Sequence, residues 1–178
     1  MDVIAAIHGR RSIRNFAATP VDRDQIVAII ADAAQAPPPV HDVVPWTFNV
    51  ITGADRIADI GARAMQYAAE HRPAGPGWNW LDRPGFQIFW GAPVVIIISG
   101  PVEDCCRAGQ NLMLSAHARG LGTCWVGSPM SWLVTTAAKA ELGIPAELTP
   151  VTVLCLGHAA TVPDAPPRGV PQVIWQDR

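Results

Sequence analysis

Lysine is almost missing from this chain: its basic residues are twelve arginines and Lys139 alone, against a formal net charge of −2. That composition offers no broad cationic surface to track a nucleic-acid backbone, so nucleic acid is not an expected partner. Long apolar runs are missing too, and the longest, residues 92–98, has the length of a buried strand and falls far short of a membrane span. Arg10 and Arg11 lie near the start, but residues 17–25, Ala-Ala-Thr-Pro-Val-Asp-Arg-Asp-Gln, cannot serve as the apolar stretch of an export signal, and a cytoplasmic location is expected. Cys105, Cys106, Cys124 and Cys155 have no CxxC spacing, and His8, His41, His71, His117 and His158 have no ligand rhythm. Neither a zinc site nor a disulfide framework is therefore expected. With no Gly-x-Ser-x-Gly elbow and no convincing Ser-His-Asp set, a hydrolase is disfavoured. Low-complexity tracts are absent as well, and 178 residues at 49% apolar composition predict one compact domain over residues 1–178.

What is present begins with residues 10–16, Arg-Arg-Ser-Ile-Arg-Asn-Phe. Three guanidinium groups and a hydroxyl within five residues suit a phosphate, because guanidinium forks match phosphate oxygens bidentately and a phosphomonoester carries roughly 1.5 to 2 negative charges near neutral pH. A solvated basic face is the competing explanation, and the cluster alone does not choose between the two.

Periodicity supplies the frame. Residues 2–9 read as a short helix, and residues 22–36 place Ile26, Ile29, Ile30 and Ala33 on one helical face behind an Asp22 cap. Pro37-Pro38-Pro39 ends that helix, since proline lacks the amide proton and restricts the residue before it, and the chain runs extended to Pro45. Residues 46–52 read as a strand, residues 55–70 as a helix, and residues 72–85 as a Gly-, Pro- and Trp-rich loop placed either to cover a site or to pack two tryptophans on the surface. A fully apolar strand at 94–99, the longest helix at 103–119, a short strand at 122–127, a helix from a Ser131 cap to Leu142 and a strand at 151–156 complete the pattern. Strands separated by helices indicate a layered α/β-type sheet. The tail after Gly157 carries Pro163, Pro166, Pro167 and Pro171 and has no period until residues 173–175, so it is expected to pack against something other than its local neighbours, a partner subunit being one candidate.

Taken in order, several short pieces resemble the nitroreductase family of flavin enzymes along nearly the full chain. They are Arg10-Arg11-Ser12-Ile13-Arg14-Asn15-Phe16, a Pro-rich turn ending in Pro45-Trp46, Gln110-Asn111-Leu112, and Gly120-Leu121-Gly122-Thr123-Cys124-Trp125-Val126-Gly127. Leu142-Gly143-Ile144-Pro145, Pro150-Val151, Leu156-Gly157 and Pro167-Arg168 follow. The resemblance implies an α+β fold, a central mainly antiparallel sheet flanked by helices, in a homodimer that exchanges C-terminal tails and holds FMN between its subunits. It implies that Arg10, Arg11, Ser12 and Arg14 meet the flavin phosphate, ribityl chain and ring edge, that Arg168 completes the phosphate clamp, and that Trp125, Val126, Gly127 and Ser128 approach the reactive edge. Two arginine groups about 150 residues apart converging on one dianion would account for both the N-terminal cluster and the tail arginine. Trp125, Val126 and Gly127 are equally consistent with an ordinary buried strand.

The chain also departs from the family, whose turn before Pro-Trp usually reads Ala-Pro-Ser-x-x-Asn-x-Gln-Pro-Trp. Counted back from Pro45-Trp46, the three polar positions hold Pro39, Asp42 and Val44; counted forward from Ala36-Pro37, the Ser and Asn positions fall on Pro38 and His41. An amide both donates and accepts, whereas ionised Asp42 only accepts and valine does neither, so flavin affinity, potential or identity is expected to be unusual. The activity implied is ping-pong hydride transfer from NADH or NADPH through FMN to a small-molecule acceptor such as a nitroaromatic or quinone, with no side-chain nucleophile. The alternative is a nitroreductase-like protein that binds a flavin or related ligand without turnover.

Overall fold

The computed structural model describes residues 1–38, 46–72 and 76–176. Its single sheet contains β1 (Thr47–Thr52), β2 (Val94–Ser99), β3 (Gly122–Trp125) and β4 (Pro150–Gly157) in the order β1-β2-β4-β3, with every neighbouring pair antiparallel. β2 and β3 both run against β4, so they are parallel to each other, and α4 (Val102–Ala118) makes the crossover between them. The remaining helices are α1 (Val3–Gly9), α2 (Arg23–Ala33), α3 (Ala54–Glu70), α5 (Met130–Leu133) and α6 (Thr136–Leu142), and none among the described residues is long and apolar enough to cross a membrane.

The sheet is covered on both faces, which is why β2 is apolar without alternation. Val95 and Ile97 face Ile57, Ile60 and Ala64 of α3 together with Trp132, Leu133, Ala138 and Leu142 from α5 and α6. Val94, Ile96 and Ile98 face Ile26, Ile29 and Ala33 of α2 and Cys105, Ala108, Leu112 and Ala116 of α4. Each such Val, Ile or Leu removed from water contributes about 1.5–3 kcal/mol before the cost of ordering the chain.

Two glycines let the N-terminal arginine segment lie against the sheet edge. A Cβ on Gly122 would fall 2.5 Å from Ile13 Cγ1, and one on Gly157 would fall 2.6 Å from Pro93 Cδ and 3.0 Å from Phe16 Cδ1. Ser12 forms a parallel bridge with Thr123, and the Ile13 amide donates to the Thr123 carbonyl at 2.9 Å. Phe16 bridges Ala159, the Ala17 amide donates to His158 at 2.9 Å, and the Ala160 amide donates to Asn15 at 3.0 Å. The start of the tail is thus paired with the residues just after the arginines, and the two ends of the chain emerge together.

Several boundaries differ from the sequence reading. Asp22 does cap α2, accepting from the Asp24 amide at 2.8 Å, but the helix ends at Ala33 and turns over residues 34–36 before the prolines. The expected helix from Ser131 to Leu142 is two helices, because Thr135 accepts from the Ala138 amide and starts α6 afresh. Residues 76–82 of the expected irregular loop form a 3-10 helix, braced by a bidentate ion pair from Arg72 to Asp82 at 2.8 and 2.9 Å. α3 equals α4 in length at 17 residues, so the two are jointly the longest helices among the described residues. Residues 173–175 form no strand.

Candidate functional site

The arginine segment leaves α1 and crosses the end of β3. Arg10 is half-buried, and its backbone amide closes α1 by donating to Ala6 at 3.0 Å. Burial holds its guanidinium below the ordinary arginine pKa, and Arg168, arriving from the tail, lowers it further by repulsion, with Arg11 adding to this and Cys124 opposing it. Arg11 spends one nitrogen on the end of α1, donating to the His8 carbonyl at 2.7 Å and the Arg10 carbonyl at 2.9 Å. Ser12 faces Cys124, whose thiol burial pushes above its ordinary pKa while Arg14, Arg10 and the Ser12 hydroxyl pull it down. Four of the sequence-selected residues, Arg10, Ser12, Arg14 and Arg168, therefore act electrostatically on one small region at the end of β3.

Arg14 is exposed and its guanidinium stands 5.5 Å from the ring centroid of Trp90, a residue the sequence reading did not select. Trp90 has φ of +50°, the sole non-glycine residue with positive φ among those described, a conformation that costs roughly 1–2 kcal/mol for an L side chain. It ends an aromatic series running from the Trp-rich segment: Trp78 to Trp80 at 6.0 Å, Trp80 to Phe86 at 5.5 Å and Phe86 to Trp90 at 6.4 Å between centroids.

Trp125 is 36% exposed, Val126 is buried with its amide donating to Val153 at 2.9 Å, and Ser128 is half-buried. Gly127 is exposed, with nothing within 4 Å of the position a Cβ would take, so its backbone is open to a close approach. Its carbonyl accepts from the Met130 amide at 3.2 Å and so starts α5. Arg168 lies in the exposed tail. Pro39, Asp42 and Val44 fall outside the described residues, as does the question of the turn's register. Among the described residues, no group of three or more His, Cys, Asp or Glu side chains could hold a metal ion.

A cavity of about 240 Å³ lies beside the arginines, lined by Arg10, Arg11, Ile13, His117, Gly122 and Thr123 among others. Sequence inspection did not select His117 or Thr123, since what they share is a tertiary position rather than a spacing.

The model of the nitroreductase family matches residues 7–158. This chain belongs to the nitroreductase family. A protein of Methanothermobacter thermautotrophicus named "Putative NADH dehydrogenase/NAD(P)H nitroreductase" is 31% identical over 174 residues, covering 92% of this chain and 80% of that protein. Among solved structures, a nitroreductase with bound FMN from Bacteroides fragilis aligns with a TM-score of 0.85 at 20% identity, over 99% of this chain and 100% of that one. A nitroreductase with bound FMN from Desulfitobacterium hafniense aligns with a TM-score of 0.82 at 23% identity over the same shares. These likenesses establish the nitroreductase-like α+β fold, an antiparallel sheet flanked by helices, and agree with the resemblance drawn from the motifs.

Proposed function

We propose that the protein is an FMN-dependent oxidoreductase, a single domain over residues 1–178, that uses NADH or NADPH to reduce a nitroaromatic, quinone or similar small acceptor. One observation carries the reading. Arg10 is half-buried beside a second guanidinium, Arg168, and no carboxylate pairs with Arg10 among the described residues. Two converging like charges without a counter-ion cost energy in the protein alone, and a phosphate dianion between them reverses the sign of that term.

The residues present fit FMN at this end. Arg10 and Arg168 would hold the phosphate, Arg11 would add positive charge while tied to the end of α1, and Ser12 would offer a hydroxyl from a segment fixed to β3. Arg14, held against Trp90, would stand at the ring edge, and the open backbone at Gly127 and Ser128, with Trp125 and Val126 before it, would admit the flavin closely. When bound, FMN supplies the hydride-accepting and hydride-donating chemistry. The protein's own share is to bind, to orient and to keep the charge of the site favourable. Pro39, Asp42 and Val44 would border the pyrimidine half.

The active unit we propose is a cytoplasmic homodimer with exchanged tails. Ala6 is the sole buried residue of α1, while Val3, Ile4 and Ile7 are exposed, and the tail exposes Val170, Ile174 and Trp175. That much unpartnered apolar surface at the two converging chain ends suits a self-complementary interface. The test is an absorption spectrum of purified protein followed by anaerobic NADH and NADPH. A flavin spectrum bleached by either donor is expected; a protein that cannot be reconstituted with FMN would remove the reading, and a bound flavin that neither donor reduces would leave only a binding protein.

A further inference from the structure

We infer that His117 is a proton-linked member of the anion site, taking up a proton when a phosphate monoester settles beside Arg10 and Arg11. The inference rests on the FMN reading and adds to it a residue and a pH dependence.

His117 lies in the last turn of α4 and lines the cavity of about 240 Å³ together with Arg10 and Arg11. Its ring is set against the end of α1 so closely that a Cβ on Gly9 would fall 2.8 Å from Nε2. Thr123 lines the same cavity, and its hydroxyl, in a residue only 1% exposed, has no hydrogen-bond partner among the described residues. A buried orphan hydroxyl costs about 1–3 kcal/mol unless something arrives to accept or donate. Two arginines and an imidazole around one cavity form a donor set for an oxyanion, with no carboxylate lining it among the described residues.

The charges then fix the direction of proton flow. Burial lowers the His117 pKa, and the charged groups acting on the ring, Arg10 and Arg11 from the end of α1, lower it further; Met1 also lines the cavity. The free ring is therefore neutral at neutral pH. A dianion beside it favours the imidazolium and so raises the pKa of the ring. Because the bound state holds the extra proton, affinity is full at the acid end of the window and falls as pH rises through the bound-state pKa. Below about pH 6 the phosphate itself takes a proton, which bounds the window from the acid side.

Isothermal titration of the full-length protein with FMN and with riboflavin, in buffers of different ionisation enthalpy at pH 7.0–7.5, counts the protons. We expect net proton uptake with FMN and none with riboflavin, and FMN affinity that falls several-fold from pH 6.5 to 8.5. His117→Gln should abolish both the uptake and the slope while leaving riboflavin binding unchanged. In wild-type protein labelled at histidine, the His117 ring resonances should report a pKa raised by FMN and unmoved by riboflavin. FMN that binds more tightly than riboflavin without proton uptake, or with equal uptake for both, would overturn the role of His117 and leave the FMN reading standing. Failure of FMN to bind at all would overturn both.

Discussion

The Arg14 guanidinium stands over the Trp90 ring at 5.5 Å, and Trp90 itself sits at a φ of +50°. The left-handed backbone at Trp90 adjoins Gly91, whose φ is +69°, and the pair turns the chain from the buried Phe89 back into β2. Glycine adopts that region without the Cβ penalty, whereas alanine does not. Trp90→Gly and Trp90→Ala both remove the ring, so the Gly variant should be the more stable by about 1 kcal/mol in urea unfolding. Equal stabilities would mean that the positive φ carries no strain. Trp90→Phe should keep Arg14 in place, and with it the midpoint potential of bound flavin, while Trp90→Gly should shift the potential.

Arg168→Ala removes the guanidinium that repels Arg10. A charge-assisted contact to phosphate is worth about 1.5–3 kcal/mol, so FMN should bind at least about tenfold more weakly and riboflavin much less so. Equal losses for the two ligands in equilibrium titration would show that Arg168 does not hold the phosphate. The same variant relieves repulsion on Arg10, so the protein without flavin should lose no stability.

The close approach of Gly122 to Ile13 makes the attachment of the arginine segment testable without any ligand. Gly122→Ala would put a Cβ 2.5 Å from Ile13 Cγ1, and overpacking of this kind costs about 1–3 kcal/mol. Ile13→Ala, at a residue 3% exposed, creates space instead. The double variant should be more stable than the sum of the two losses predicts, with a coupling of about 1 kcal/mol by denaturant titration. Strict additivity would mean that the segment shifts freely over β3.

Much of this frame was legible in the sequence because it is local. The apolar run of β2, the Asp22 cap and the stop at Gly143, which sits at a φ of +65°, are read from neighbouring residues. The break between α5 and α6 was missed because the Thr135 cap is indistinguishable by pattern from a mid-helix threonine. Within the site, the arginines were found because they cluster in sequence. Trp90 and His117 were not, since each acquires its role from a contact more than 70 residues away along the chain, and the spending of Arg11 on the end of α1 becomes visible only once the guanidinium has a direction.

The four cysteines should separate by reactivity. Cys105, Cys124 and Cys155 are buried and Cys106 is half-buried. Burial, aided by Cys106 and Asp104, pushes the Cys105 thiol up to about 11, and burial likewise pushes Cys155 well above its ordinary value. Alkylation proceeds through the thiolate, so at pH 8 native protein should take iodoacetamide first at Cys106, at least about tenfold faster than at the other three, and the Cys105 rate should climb with pH toward 11. Peptide mass mapping over a time course reads this directly. Early modification of Cys155 would indicate that the sheet opens between β3 and β4, because Cys155 pairs with Cys124 across those strands.

Assembly and cofactor should be linked through the chain ends. Val3, Ile4 and Ile7 on α1 and Ile174 and Trp175 in the tail are all at least half exposed, and the tail begins paired with the segment that carries the arginines. If subunits meet over these surfaces and the flavin lies between them, a ligand that binds only the dimer stabilises it by about 2.7 kcal/mol at one hundred times its dissociation constant. Removing FMN should then lower the resistance of the dimer to dilution. Truncation before Val170 should weaken dimer and flavin together while Arg168 stays in the chain, and Ile4→Asp should weaken the dimer without touching a guanidinium. Sedimentation across a dilution series, with and without FMN, distinguishes the possibilities: a monomer that retains one flavin per chain at full affinity would show that each site is complete within its own subunit.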